Sequence, residues 1–178
     1  ALFLPALART KPTGNRINCI SNLKQIGISS RMWANDHGDK FPWQVSMAQN
    51  GTLEIAESPE VFRHFLALSN ELSSPKVLVC SSDTKRNRVA DFRMLNDQHL
   101  SYFIGLDASE DPPQSILSGD RNISGGLLAS NGIMRLDTNS QAGWGADIHM
   151  GAGNLCLGDG SATQTSPSDL LFRAAVPS

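Results

Sequence analysis

Long apolar runs are what this chain most conspicuously lacks. No stretch after its opening approaches the ~18 consecutive apolar residues of a membrane span. The opening run itself, ALFLPAL, is too short to span alone and carries no basic segment before it, so it does not read as a signal peptide. Cysteine is scarce: Cys19, Cys80 and Cys156 have no C-x-x-C spacing, and their odd number allows at most one internal bridge. Charge is low as well, at 18% of residues with a net −2, which gives no whole-chain reason to expect nucleic acid as a partner. The one basic cluster, Lys85, Arg86 and Arg88, reads as a solvated loop. Neither a G-x-S-x-G elbow nor a G-x-G-x-x-G loop occurs, and no EF-hand spacing is present.

What is present suits one loop-rich globular domain: 178 residues, 40% apolar, with 15 Gly and 9 Pro. Residues 1–11 read as helix, with Pro5 as an internal kink and Pro12 and Gly14 as a weak point. Helix is expected to resume near Ile17, because Ile17, Ile20, Leu23, Ile26 and Trp33 recur at three- to four-residue steps. It should stop near residues 35–38, where Asn, Asp and Gly cluster before Pro42. A second helix is expected from Ser58 as cap through Leu72, and a buried strand at 76–80. From residue 100 the pattern turns to short strands at 100–105, 115–119, 126–130, 132–136, 153–157 and 161–165, with Asn131-Gly132 marking a hairpin. A brief helix at 168–173 closes the chain. The order predicts an α+β fold: a long N-terminal helix, divided from the head at residues 37 and 38, packed on an antiparallel sheet.

The four histidines are scattered, and His37, His64 and His99 read as structural or surface residues. His149 opens HMGAGNLCLGDG, so His149 and Asp159 flank a strand. They are expected to face each other across it, either as a ligand or metal site or as a hydrogen bond that pins the hairpin. Asp107, Glu110 and Asp111 sit in a Pro-rich loop whose oxygens suit calcium. Asn122-Ile123-Ser124 fits a glycosylation acceptor. No nucleophile, base and orienting group come together, so catalysis is not expected.

Taken together these residues resemble the bacterial type IV pilin-like proteins. ALFLPALART and NCISNLKQIGISSRMWANDHGDKFP resemble the segment after that family's hydrophobic cleavage and methylation motif. LVCSSD at 78–83 resembles its "CPSD" element, with Ser81 in place of proline, and LSYFIG its "SY" strand. The run from His149 to Gly160 resembles the H-x9-D-G signature of type II secretion protein G-like pseudopilins. The resemblance implies a pilin-like fold and a non-enzymatic subunit of a pseudopilus or type IV pilus-like filament. It implies that residue 1 lies inside a longer apolar helix, so that the chain is a fragment.

Such a subunit would sit in the bacterial inner membrane, be processed by a prepilin peptidase, and then polymerise with itself and other pilins into a periplasmic or extracellular filament. Its assembly residues would be Leu2, Phe3, Leu4, Pro5 and Leu7, and its structural positions Trp33, Cys19, Cys80, His149, Asp159 and Gly160. Cys19 and Cys80 would form one disulfide tying helix to head, or remain two buried thiols. No cofactor would be required; calcium, if bound, would use Asp107 and Asp111. Two rivals stand beside this reading: a surface-anchored module binding a glycan, a cation or DNA, and an exported hydrolase using His149 with Asp159.

Overall fold

The computed structural model describes residues 4–129, 131–136 and 140–174; Leu2, Phe3 and Ser130 lie outside these residues. Helix α1 runs unbroken over Leu4–Asn35, with Pro5 in its first described turn. The expected break at Pro12–Gly14 is absent. One proline removes one backbone bond and bends a helix, whereas ending the helix and nucleating it again costs far more.

The buried stripe of α1 is Cys19, Leu23, Ile26, Ser30, Trp33 and Ala34. Ile17, expected on that stripe, is 58% exposed, because Cys19 takes the position facing the head. The helix ends where the sequence suggests. Gly38 and Asp39 adopt positive φ, and Asp39 N donates back to Ala34 O at 3.0 Å. His37 closes the end by stacking on Trp33 with ring centroids 3.5 Å apart.

Helix α2 spans only Phe62–Ala67. Its first amide, Phe62 N, is capped from a distance by Asp97 Oδ1 at 3.0 Å, while Ser58 Oγ accepts from Glu60 N outside the helix. The expected strand at 76–80 is instead a 3-10 turn over Pro75–Leu78. Ser74 Oγ accepts from Lys76 N and Pro75 fixes the first turn position, so local capping overrides the strand-like apolar run. Burial was read correctly there, since Leu78, Val79 and Cys80 are all inside.

The late half supplies strands β1 (Tyr102–Ile104), β2 (Ile116–Asp120), β3 (Ile123–Ser124), β4 (Leu127–Leu128), β5 (Met134–Arg135), β6 (Gly143–Trp144), β7 (Gly153–Leu157) and β8 (Ala162–Thr165). Helix α3 (Ala146–His149) precedes β7, and α4 (Pro167–Ala174) closes the fold. The main sheet has the order β1-β2-β7-β8, antiparallel throughout. β4 and β5 form the expected hairpin; the β3–β6 pair was not anticipated, its strands being two residues each.

Alternation along β7 divides the apolar interior. Cys156 joins the core beneath α1, whereas Leu155 points to a second cluster with Trp144 and Leu170 of α4. The fold is therefore α+β, with a long helix on one face of an antiparallel sheet and a short helix on the other.

Gly27 sets how closely α1 approaches the sheet. A Cβ there would stand 2.5 Å from Cys156 Sγ and 2.9 Å from the Gly160 Cα. Gly27→Ala is expected to cost about 1–3 kcal/mol by overpacking, even though alanine favours helix by ~1 kcal/mol over glycine. Gly14→Ala, in open space, should gain about 0.5–1 kcal/mol. Urea unfolding of the two variants checks both signs; equal stabilisation would mean that α1 does not need this approach.

Candidate functional site

Polar chemistry concentrates under the helix, where five elements meet. Cys19 of α1 and Cys80, just past the 3-10 turn, form a disulfide with Cα atoms 5.0 Å apart. His149 ends α3. Met150 and Gly151 then take positive φ, which turns the chain sharply and leaves the imidazole inside, 3% exposed. Its Nε2 lies 3.5 Å from Cys80 Sγ and 3.4 Å from Asp120 Oδ2.

Asp120, at the end of β2, is fully buried. Its Oδ2 accepts from Asn154 N and from Asn154 Nδ2, both at 2.8 Å, while Oδ1 has no partner among the described residues. Arg16 steadies that asparagine, with Nε 3.4 Å from Asn154 Oδ1 and Nη2 3.2 Å from Gly153 O. Tyr102, opposite Asp120 in the β1–β2 register, donates to Cys19 O at 3.5 Å and accepts from Asn22 Nδ2 at 3.3 Å.

The electrostatics follow from burial. Loss of water pushes the Asp120 carboxyl up to about 7, against the pull of the two Asn154 donors and Arg16. Burial, helped by the Arg16 charge, pushes His149 down to about 4. Tyr102 is raised by burial and by the Asp120 charge, so its hydroxyl stays protonated. Near pH 5 the Asp120–His149 pair thus holds its single proton on the carboxyl side.

A second buried acid stands nearby with the opposite outcome. Burial raises Asp83, but Arg121 outweighs it with Nε and Nη2 at 2.7 and 2.8 Å, aided by Ser101 Oγ at 2.9 Å. Asp83 is therefore held below the ordinary carboxylate range, as a structural ion pair in the LVCSSD segment. The adjoining basic cluster is partly tethered: Lys85 Nζ meets Asp147 Oδ2 at 2.6 Å, and Arg86 Nε donates to Leu100 O at 2.9 Å.

The expected pairing of His149 with Asp159 does not form. The five residues of β7 lie between them and hold them at opposite ends of one strand. Asp159 is exposed; its carboxylate accepts from Ser161 N at 2.8 Å, and its carbonyl accepts from Arg31 Nη1 at 2.9 Å. Gly160, at positive φ, seats this turn against Gly27. Position 149 thus serves the buried polar cluster, and positions 159 and 160 serve helix docking.

Asp107 and Asp111 are both exposed, and neither belongs to a cluster of three metal-ligating groups among the described residues. Between them Glu110 pairs with Arg31 at 3.4 Å. The described residues that do gather as possible ligands are Cys19, Cys80 and His149. Asn122 is buried and donates Nδ2 to Gly145 O and Ala152 O, so its amide is already engaged in the fold.

His64 bonds Thr52 Oγ1 at 2.8 Å through Nδ1, and His99 Nδ1 accepts from Asn96 N at 3.2 Å; both serve the fold. Sequence reasoning passed over Asp120. Its one signal was an acid closing an apolar strand at Ser118-Gly119-Asp120, a place where burial forces a partner. Leu4, Pro5 and Leu7 lie in α1, with side chains outside the described residues.

The remaining thiol, Cys156, is buried and pushed up to about 12, so it stays protonated. Among the described residues no helix is long and apolar enough to cross a membrane. No family model matches the chain, and neither a curated protein nor a solved structure matches it.

Proposed function

We propose that this chain is a structural subunit of a pseudopilus or type IV pilus-like filament, polymerising through its N-terminal helix and presenting the head outward. The observation that carries the reading is α1: a helix of 32 residues that is covalently joined to the head at Cys19. Such a helix spans about 48 Å at 1.5 Å per residue. Arg16, Asn22, Gly27 and Arg31 hold its second half along the sheet. A pull along the helix would then reach the head through a covalent bond and several hydrogen bonds.

The apolar opening, Leu2, Phe3, Leu4 and Leu7, would supply lateral contacts between neighbouring helices. The inner membrane would hold the subunit before assembly, a prepilin peptidase would process it, and copies of itself or other pilins would be its partners. In this reading the head is not catalytic.

Leu7→Asp in the full natural precursor tests the proposal. The variant should vanish from sheared surface filaments seen by electron microscopy, while the head keeps its unfolding free energy within about 0.5 kcal/mol. Wild-type incorporation of Leu7→Asp, or a wild-type chain never found in filaments, would sink it.

A further inference from the structure

We propose that the dithiol form of this chain binds one zinc ion through Cys19, Cys80 and His149, with the Asp120 carboxylate as the adjoining negative charge. Every chain is made with its cysteines as thiols, so this form precedes the disulfide. The proposal stands apart from the filament reading and needs nothing from it.

Geometry is the first argument. The donor atoms of Cys19, Cys80 and His149 all lie within 4.8 Å of one another. Bond lengths near 2.3 Å to sulfur and 2.0–2.1 Å to nitrogen or oxygen set the edges of a zinc tetrahedron at about 3.5 Å for S···N and 3.4 Å for N···O. The fold places Cys80 Sγ 3.5 Å from His149 Nε2, and Asp120 Oδ2 3.4 Å from that same nitrogen. The Cys80–His149 edge is therefore already at length.

The surroundings suit a cation as well. Asp120 is fully buried beside His149 and its Oδ1 has no partner among the described residues, so the carboxylate charge is only partly met by the fold. Behind it stands an ordered support: Asn154 donates twice to Oδ2, and Arg16 holds Asn154. Supports of this kind hold a charged neighbour in place beside a metal's ligands. Two thiolates, one carboxylate, Zn2+ and the Arg16 guanidinium sum to zero charge, which a buried site requires. The ring of His149, being buried, is in the neutral form that offers a lone pair.

The ligands come from three separate places, α1, the segment after the 3-10 turn and α3, which is why no C-x-x-C spacing announces them. Binding transfers no electrons. Zn2+ accepts a lone pair from each sulfur and from the His149 nitrogen; the two thiol protons leave to solvent, and with them the Asp120 proton where the carboxyl still holds it. Two sulfurs on one zinc stand about 3.8 Å apart, a separation that a disulfide forbids, so metal and disulfide exclude each other. Either one ties α1 to the head at Cys19.

The test reduces the protein in denaturant with a phosphine and refolds it without oxygen, with Co2+ as the probe and then Zn2+. The expected result is one Co2+ per reduced chain, with a thiolate-to-cobalt charge-transfer band and the strong visible bands of a four-coordinate site. Zn2+ should displace it, and the oxidised chain should give neither band. His149→Gln should bind at least about tenfold more weakly.

A reduced wild-type chain that folds yet binds no Co2+, or that gives only the weak spectrum of a six-coordinate ion, would overturn the proposal. So would equal binding by His149→Gln. If the reduced chain does not fold alone, zinc should restore its circular dichroism; a chain unfolded with and without zinc, and silent with cobalt, refutes the site.

Discussion

Replacing both Cys19 and Cys80 by serine is expected to cost this protein about 4 kcal/mol of stability. The bridge spans 61 residues of sequence. In the chain-entropy account, closing a loop of that size removes roughly 4 kcal/mol of freedom from the unfolded chain. The loop holds the second half of α1, α2 and the 3-10 turn, so the released entropy belongs to a third of the molecule.

Two further effects act in the same direction. Cys19 and Cys80 are 0% and 1% exposed, so each new serine hydroxyl must find a partner or go unsatisfied. Tyr102, which donates to the Cys19 carbonyl and accepts from Asn22, also loses the fixed position of that carbonyl. Urea titration of the oxidised wild type against the double serine variant measures the difference. A loss below about 1 kcal/mol would mean that Leu23, Ile26 and Trp33 dock the helix without covalent help, and that the unfolded chain is already compact.

The sequence disclosed some parts of this architecture and hid others, for physical reasons that differ by residue. Strands β1, β2, β7 and β8, the β4–β5 hairpin and helix α4 were legible because alternation, Asn131-Gly132 and a terminal apolar face are local signals. The end of α1 was legible from Gly38, since only a residue tolerant of positive φ closes a helix there.

Residues 76–80 misled because an apolar run reports burial and not geometry; Ser74 and Pro75 decided the geometry. On α1, Leu23, Ile26 and Trp33 are buried as expected, but Ile17 was misplaced on the stripe because Cys19 was not counted, although cysteine is among the most buried residue types. Most instructive is His149. Its spacing to Asp159 suggested a pair, but partnership across a fold is set by register. The partner came from β2, a strand whose place beside β7 follows from long-range pairing that no local pattern encodes.

That partnership makes a second large effect testable by pH. His149 has its folded value near 4 against 6.5 when free, so the stability it contributes is complete above pH 6.5 and is lost as pH falls toward 4. Asp120 has its folded value near 7 against 3.8, so the stability it contributes is complete below pH 3.8 and is lost as pH rises toward 7. Between about pH 4 and 6.5 the two losses run in opposite directions, each near 1.4 kcal/mol per pH unit. They cancel because the folded and unfolded pairs hold the same number of protons, one.

Removing either partner should expose the other. Relative to wild type, His149→Gln should gain stability as pH falls through this window, and Asp120→Asn should gain as pH rises. Each swing should reach about 3 kcal/mol. Taking differences from wild type removes the contribution of His64, also lowered by burial, which is common to all three chains. Urea midpoints at several pH values between 4 and 6.5 measure the slopes. Parallel curves for the two variants would show that the proton is not confined to this pair, and that Tyr102, Arg16 or Asp83 shares in holding the charge. Opposed slopes would establish that one buried proton, passed between a strand end and a helix end, balances the polar interior beneath α1.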